Sequence, residues 1–175
     1  MRLMLLRHAK SEKAEPGMSD RERRLNARGH GDAATMGAYM AHHDLTPDLA
    51  LISAAQRTRE TWDHIAGQIS PRSPPIFERR LYNAGSDAIL RVLQQTGEAV
   101  HALLVIGHNP GLHDLARKLI ASGDVEARER LNERLPTAGL AVIDFAAESW
   151  RKLHPQGGRL ERFVTPRSLA SANRV

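Results

Sequence analysis

Two arginines and two histidines of this chain stand where their side chains could act together on an anion. Arg7-His8 closes the apolar run over residues 3–6. Arg57 lies four residues after Ser53, at the end of Leu51-Ile52-Ser53. His108 follows Val105-Ile106-Gly107 and precedes Asn109-Pro110. Open α/β sheets bind ligands beyond the carboxyl ends of their strands, so three such strand ends can share one pocket. A guanidinium stays charged at any working pH, and its planar fork matches the oxygens of a phosphoryl group. A neutral imidazole is a competent nucleophile if one ring nitrogen is free and the other N–H is held by an acceptor. A second imidazole, when charged, can donate to a non-bridging oxygen as charge shifts. The arginines would supply the positive charge that a metal ion supplies elsewhere, so no metal or other cofactor is expected.

The elements that must carry these residues read as alternating strands and helices. Residues 2–7, 49–52 and 101–106 are short, uninterrupted apolar runs, as in buried parallel strands. A polar loop spans residues 11–25, and Asn26 is placed to cap a helix reaching about His43, with Ala34, Ala38 and Ala41 along one face. Ala55, Thr58, Trp62, Ile65 and Ile69 fall at helical spacing and predict a core-facing helix over 55–69. Ile76-Phe77 is a short strand, and a helix with Ser86 as its N-cap runs to Gln95. Leu112, Leu115, Ala116, Leu119 and Ile120 predict a helix closed by Gly123. Residues 125–134 are charged and helical in pattern, 140–145 and 159–164 read as strands, and 166–175 as a polar tail. The expected fold is a three-layer α/β/α sandwich around a mostly parallel sheet, with residues 1–165 as a single catalytic domain.

Composition narrows the function classes. Aromatics are only 4% of 175 residues against 41% hydrophobic, so aliphatic side chains and alanine must fill the core. The net charge of +5 is scattered, apart from a mild run over residues 21–28 that would raise the local positive potential. Neither a basic helix nor an aromatic platform suggests nucleic acid. The chain has no cysteine, which removes disulfides and thiolate metal sites. His42, His43, His64 and His113 lack the further ligands that a metal would need. No run approaches the ~18 apolar residues of a membrane span, and the N-terminal run is too short for a secretory signal. The expected location is the cytoplasm, away from any membrane.

The motif residues resemble those of the histidine phosphatase superfamily, which is phosphoglycerate mutase-like in fold, and in particular its small phosphohistidine phosphatases of the SixA type. Arg7-His8 matches the family's Arg-His pair. Ser53, Arg57 and Thr61 match Ser-x-x-x-Arg-x-x-x-Thr, and His108 matches the second catalytic histidine. The stretch from Asp20-Arg21-Glu22-Arg23 to Gly29 is similar to Asp-x-x-Arg-Pro-Leu-Thr-x-x-Gly, which implies that Arg23 lies near the phosphate. Phe163-Val164-Thr165-Pro166-Arg167 is also similar to the ending of small bacterial members. Ala9, Arg24 and Ala54 depart from common family residues without removing a chemical group from the site.

The resemblance implies a metal-independent phosphatase with His8 as nucleophile and with Arg7, Arg57 and His108 around the phosphoryl group. Arg23, Ser11 and Asn109 are candidate substrate-binding residues. Larger members carry a general acid on an inserted loop, and that insertion is missing here. Glu78, Asp87 and Tyr82 lie in the right interval, with no motif to select among them. A leaving alkoxide needs a positioned acid, an effect of about 10²–10⁴-fold, whereas imidazole leaving from phosphohistidine needs far less help. The expected partner is therefore a phosphorylated histidine-containing protein, such as a phosphorelay domain, with inorganic phosphate as product. A small phosphate ester, or a phospho-ligand-binding module without catalysis, are the alternatives.

Overall fold

The computed structural model describes residues 1–172. Seven strands form one sheet: β1 (Arg2–Arg7), β2 (Leu49–Ser53), β3 (Ile76–Glu78), β4 (Ala102–Gly107), β5 (Ile120–Gly123), β6 (Leu140–Phe145) and β7 (Gly158–Val164). Their order across the sheet is β3-β2-β4-β1-β6-β7-β5. The β3-β2-β4-β1 half is parallel throughout, β6 runs antiparallel to both β1 and β7, and β5 is again parallel to β7.

Because side chains alternate across a strand, each central strand feeds two cores. Leu3 and Leu5 face one side with Leu103, Val105 and Ile143, and Met4 and Leu6 face the other with Leu104, Ile106 and Val142. The first core is covered by α3 (Ser86–Gln94), α4 (Gly111–Leu119) and α5 (Val125–Glu133), through residues such as Leu93, Leu115 and Leu131. The second is covered by α1 (Ala27–His42) and α2 (Gln56–Ala66), through Met36, Met40, Trp62 and Ile65. The result is the α/β/α sandwich that the apolar runs imply. Both tryptophans are buried.

Four local expectations change. The apolar face of α1 is Gly29, Ala33, Met36, Gly37 and Met40, while Ala38 is exposed. Ser86 is the first residue of α3 rather than its cap: Gly85 takes the cap position, and the Ser86 hydroxyl accepts from Lys118. Ile120 does not continue α4 but begins β5. Residues 166–172, read as a polar tail, form a short helix, α6 (Pro166–Ala172). It starts on a reciprocal cap, with Thr165 N–H donating to Ser168 Oγ and Ser168 N–H to Thr165 Oγ1. Leu169 then packs on the second core. Residues 173–175 of the expected tail lie outside the described residues.

Candidate active site

In-register parallel pairing brings the three motif strands to one end of the sheet. Arg7 pairs with Gly107, and Ile52 with Ile106, so the residues that follow β1, β2 and β4 emerge side by side. Two glycines allow the surrounding chain to close in. A Cβ on Gly29 would sit 1.9 Å from the carbonyl oxygen of Lys10, so only glycine lets α1 lie against the segment that follows His8. Gly111 opens α4 under the same constraint: a Cβ there would sit 1.9 Å from the Ala84 carbonyl oxygen.

His8 is buried, and its Nδ1 lies 2.7 Å from the Ala9 carbonyl oxygen. A carbonyl only accepts, so Nδ1 carries the proton and the neutral ring keeps its lone pair on Nε2. Ala9 is itself fixed: its N–H donates to Thr61 Oγ1 at 3.0 Å, and the Thr61 hydroxyl donates to the Arg57 carbonyl at 2.7 Å. Burial lowers the His8 pKa to about 3; the bond to Ala9 opposes this, and His108, Arg57 and Arg7 add to it.

His108 stands beside it, with ring centroids 5.3 Å apart. Its Nε2 lies 2.6 Å from Ser53 Oγ, and its Nδ1 lies 3.3 Å from Arg57 Nη2. Guanidinium donates only, so Nδ1 accepts and the Nε2 proton goes to Ser53. Burial, with Arg57 second, brings the His108 pKa down to about 4. Both imidazoles are therefore neutral at pH 7.

Arg57 is buried in the first turn of α2, where Thr58 ties the strand-to-helix turn by donating to the Ser53 and Ala55 carbonyls. Arg59, two residues on, instead lies over the Phe77 ring at 4.0 Å. Arg57 donates to the Asp20 carbonyl at 2.8 Å and to Asp20 Oδ2 at 3.1 Å. Arg7 donates through Nη1 to the Leu135 carbonyl at 3.1 Å. The Nε atoms of Arg7 and Arg57 are buried with no hydrogen-bond partner among the described residues. Such donors can be satisfied by the oxygens of a tetrahedral anion.

The remaining candidates divide. Arg23 joins the group through Asp20, donating to Asp20 Oδ1, to Ser11 Oγ and to the Glu12 carbonyl, each at 2.9 Å. Ser11 is thereby the support of Arg23. Asn109 donates to the Leu135 carbonyl at 2.8 Å, the same acceptor that Arg7 uses. Of the three residues considered as acids, Glu78 is engaged by Arg80, and Asp87 by Lys118. Tyr82 is at the site, with its ring edge-on to His108 at 5.5 Å and its hydroxyl donating to Asp20 Oδ2. That bond, Arg23 and Arg57 hold the Asp20 carboxyl well below the usual carboxylate range, and Asp20 in turn raises the Tyr82 pKa. Of the histidines outside the motifs, His64 meets His30 at 2.8 Å, and His113 meets the Leu131 carbonyl at 2.6 Å.

Asp20 and the segment around Leu135 are the site residues that no sequence signal assigned. Asp20 lies inside the motif stretch, but nothing there marks it as the shared acceptor of Arg23, Arg57 and Tyr82.

The fold and this cluster define a class: an α/β protein with paired neutral histidines and arginines at the carboxyl end of its sheet, arranged for a phosphoryl group. The profile of the "Histidine phosphatase superfamily (branch 1)" matches residues 3–85. A protein of Mycobacterium tuberculosis, itself uncharacterised, is 33% identical over 164 residues, covering 93% of this chain and 100% of the relative. The crystal structure of the proposed phosphohistidine phosphatase SixA from Agrobacterium tumefaciens superposes with a TM-score of 0.80 at 30% identity, over 94% of this chain and 97% of that one. The protein histidine phosphatase SixA complexed with tungstate shares the fold, with a TM-score of 0.78 at 20% identity over 97% and 99% of the two chains. The chain belongs to the histidine phosphatase superfamily, and membership implies phosphatase chemistry.

Proposed function

We propose that this protein is a phosphohistidine phosphatase that works through a covalent phosphohistidine on His8. His8 Nε2 attacks phosphorus in line, forming a new N–P bond as the bond to the substrate imidazole breaks. The leaving nitrogen takes a proton from solvent. Water then attacks the phosphorus of phospho-His8, inorganic phosphate leaves, and the imidazole is restored. Arg7 and Arg57 neutralise the phosphoryl oxygens, Arg23 adds charge at the rim, and His108 stabilises the group as charge shifts. To donate through Nδ1, His108 must gain a proton and Arg57 must turn from it to the phosphate. An incoming dianion favours both changes.

The observation that carries the nucleophile assignment is the His8 Nδ1 bond to Ala9, which fixes the lone pair on Nε2. The substrate assignment is supported by the state of the acids. Glu78 and Asp87 are paired elsewhere, Asp20 is held ionised, and Tyr82 has its proton committed to Asp20. None is poised to protonate an alkoxide, and imidazole as leaving group needs no such acid. The substrate is then a histidine-phosphorylated protein, such as a phosphorelay domain, in a cytoplasmic signalling setting.

The test is a competition between a phosphohistidine peptide and a panel of phosphate monoesters. The peptide is expected to lead by about 10²-fold or more in kcat/KM. A monoester turned over as well as the peptide, with Tyr82→Phe abolishing that turnover, would establish a small-molecule phosphomonoesterase instead.

A further inference from the structure

The segment over residues 134–138 has two sides. Inward, the Leu135 carbonyl accepts from Arg7 and Asn109, and the Ala138 N–H reaches the Arg7 and His8 carbonyl oxygens at 3.1 Å each. Outward, Arg134, Pro136 and Thr137 line a cleft of about 980 Å³. The same few residues thus hold the catalytic arginine and form the wall of a second surface. Arg134 is felt at the site: after burial, its charge is the next cause lowering the Arg7 pKa.

Four arginines border this cleft, from three parts of the chain: Arg28 on α1, Arg130 and Arg134 at the end of α5, and Arg167 on α6. Arg130 is steadied over the Phe163 ring at 5.4 Å. Guanidinium is suited to bidentate contact with carboxylates. A cleft of this volume bordered by several guanidinium groups suits an extended acidic chain, which can offer each of them a carboxylate. Glu126 and Glu133 lie in the same cleft. They would repel the uniform charge of a nucleic-acid backbone but can be accommodated by a polypeptide that mixes acidic and neutral residues.

We propose that this cleft docks the acidic polypeptide flank of the phosphorylated protein while its phosphohistidine enters the catalytic site. This rests on the phosphohistidine phosphatase reading and adds to it the chemistry of the partner surface. Docking of this kind is electrostatic, acts mainly on encounter and orientation, and weakens with salt.

The experiment uses three substrates: two phosphohistidine peptides of equal length, one flanked by glutamates and one by lysines, and phosphoimidazole. The glutamate-flanked peptide is expected to lead by about tenfold in kcat/KM, with the gap closing as salt is raised. Arg167→Glu should remove that preference through KM and leave phosphoimidazole turnover unchanged, while Arg167→Lys keeps most of it. Arg130→Glu is the second variant, with a melting curve to show that loss of the Phe163 contact has not unfolded it. Equal turnover of both peptides, or a preference that survives both charge reversals, overturns the docking surface and leaves the phosphatase reading standing. Competition by a single-stranded oligonucleotide, without any flank preference, overturns it in favour of a nucleic-acid partner. If neither peptide nor phosphoimidazole is hydrolysed, the phosphatase reading itself fails, and docking with it.

Discussion

Thr61 offers the sharpest test of how His8, the proposed nucleophile, is held. Its hydroxyl accepts the Ala9 N–H and donates to the Arg57 carbonyl, and it is 1% exposed. Ala9 carries the carbonyl that fixes the His8 tautomer. Thr61→Val keeps the shape but leaves the buried Ala9 N–H without a partner. A stranded buried donor costs about 1–3 kcal/mol. For a domain of this size each kcal/mol lowers Tm by roughly 2–4 °C, so a fall of about 2–12 °C is expected. Catalysis should suffer beyond stability, because sub-ångström misplacement of a reacting group reduces rate steeply; a loss in kcat of about 10–100-fold is expected, with KM nearly unchanged. Nitrogen chemical shifts of His8 should show the Nε2–H tautomer appearing in the variant. Thr61→Ser, which keeps the hydroxyl, should recover both stability and rate. A valine variant with the Tm, kcat and tautomer of the parent would refute this account of positioning.

Three further outcomes follow from the same geometry. Stability should fall with acid: His8 and His108 have folded pKa values of about 3 and about 4, below the unfolded value near 6.5. The unfolded chain therefore binds protons first as pH drops below about 6.5, and by pH 5 each histidine costs roughly 2 kcal/mol. Urea titrations from pH 7 to 5 should show this loss, with His108→Asn reducing the slope by about one proton; an unchanged slope would contradict it. Asp20→Asn removes a carboxylate that competes for Arg57 and Arg23, so inorganic phosphate should inhibit about fivefold more tightly, and weaker inhibition would count against that role. Gly111→Ala forces a Cβ against the Ala84 backbone and should cost about 1–3 kcal/mol in urea unfolding while lowering kcat through His108. Unaltered stability would show that the close approach relaxes freely.

β1, β2 and β4 were legible in the sequence because they are buried on both faces and read as continuous apolar runs, whereas β3 is short and exposes Ile76 and Phe77. Arg7, His8, Arg57 and His108 were legible as polar residues at the ends of those runs. β5 was not, because Ile120 extends the spacing of Leu112, Leu115 and Leu119, and a helical pattern does not mark where the chain leaves the helix. α6 was missed because only Leu169 of its seven residues packs on a core, too little for a periodic signal. The partners of Asp20 and Leu135 are set by tertiary approach. Arg57 is 37 residues from Asp20 and Arg7 is 128 from Leu135, separations on which local spacing carries no information.

The proposed reaction depends on His8 carrying the phosphoryl group between substrate and water. Rapid-quench reaction with a phosphohistidine peptide labelled at phosphorus, followed by digestion and mass spectrometry under alkaline conditions, tests it directly. A burst approaching one acid-labile phosphate per chain is expected, located on the peptide containing His8 and absent in His8→Ala, which stays folded and inactive. Full turnover by His8→Ala, or hydrolysis that proceeds with no phosphoenzyme on His8, would contradict it.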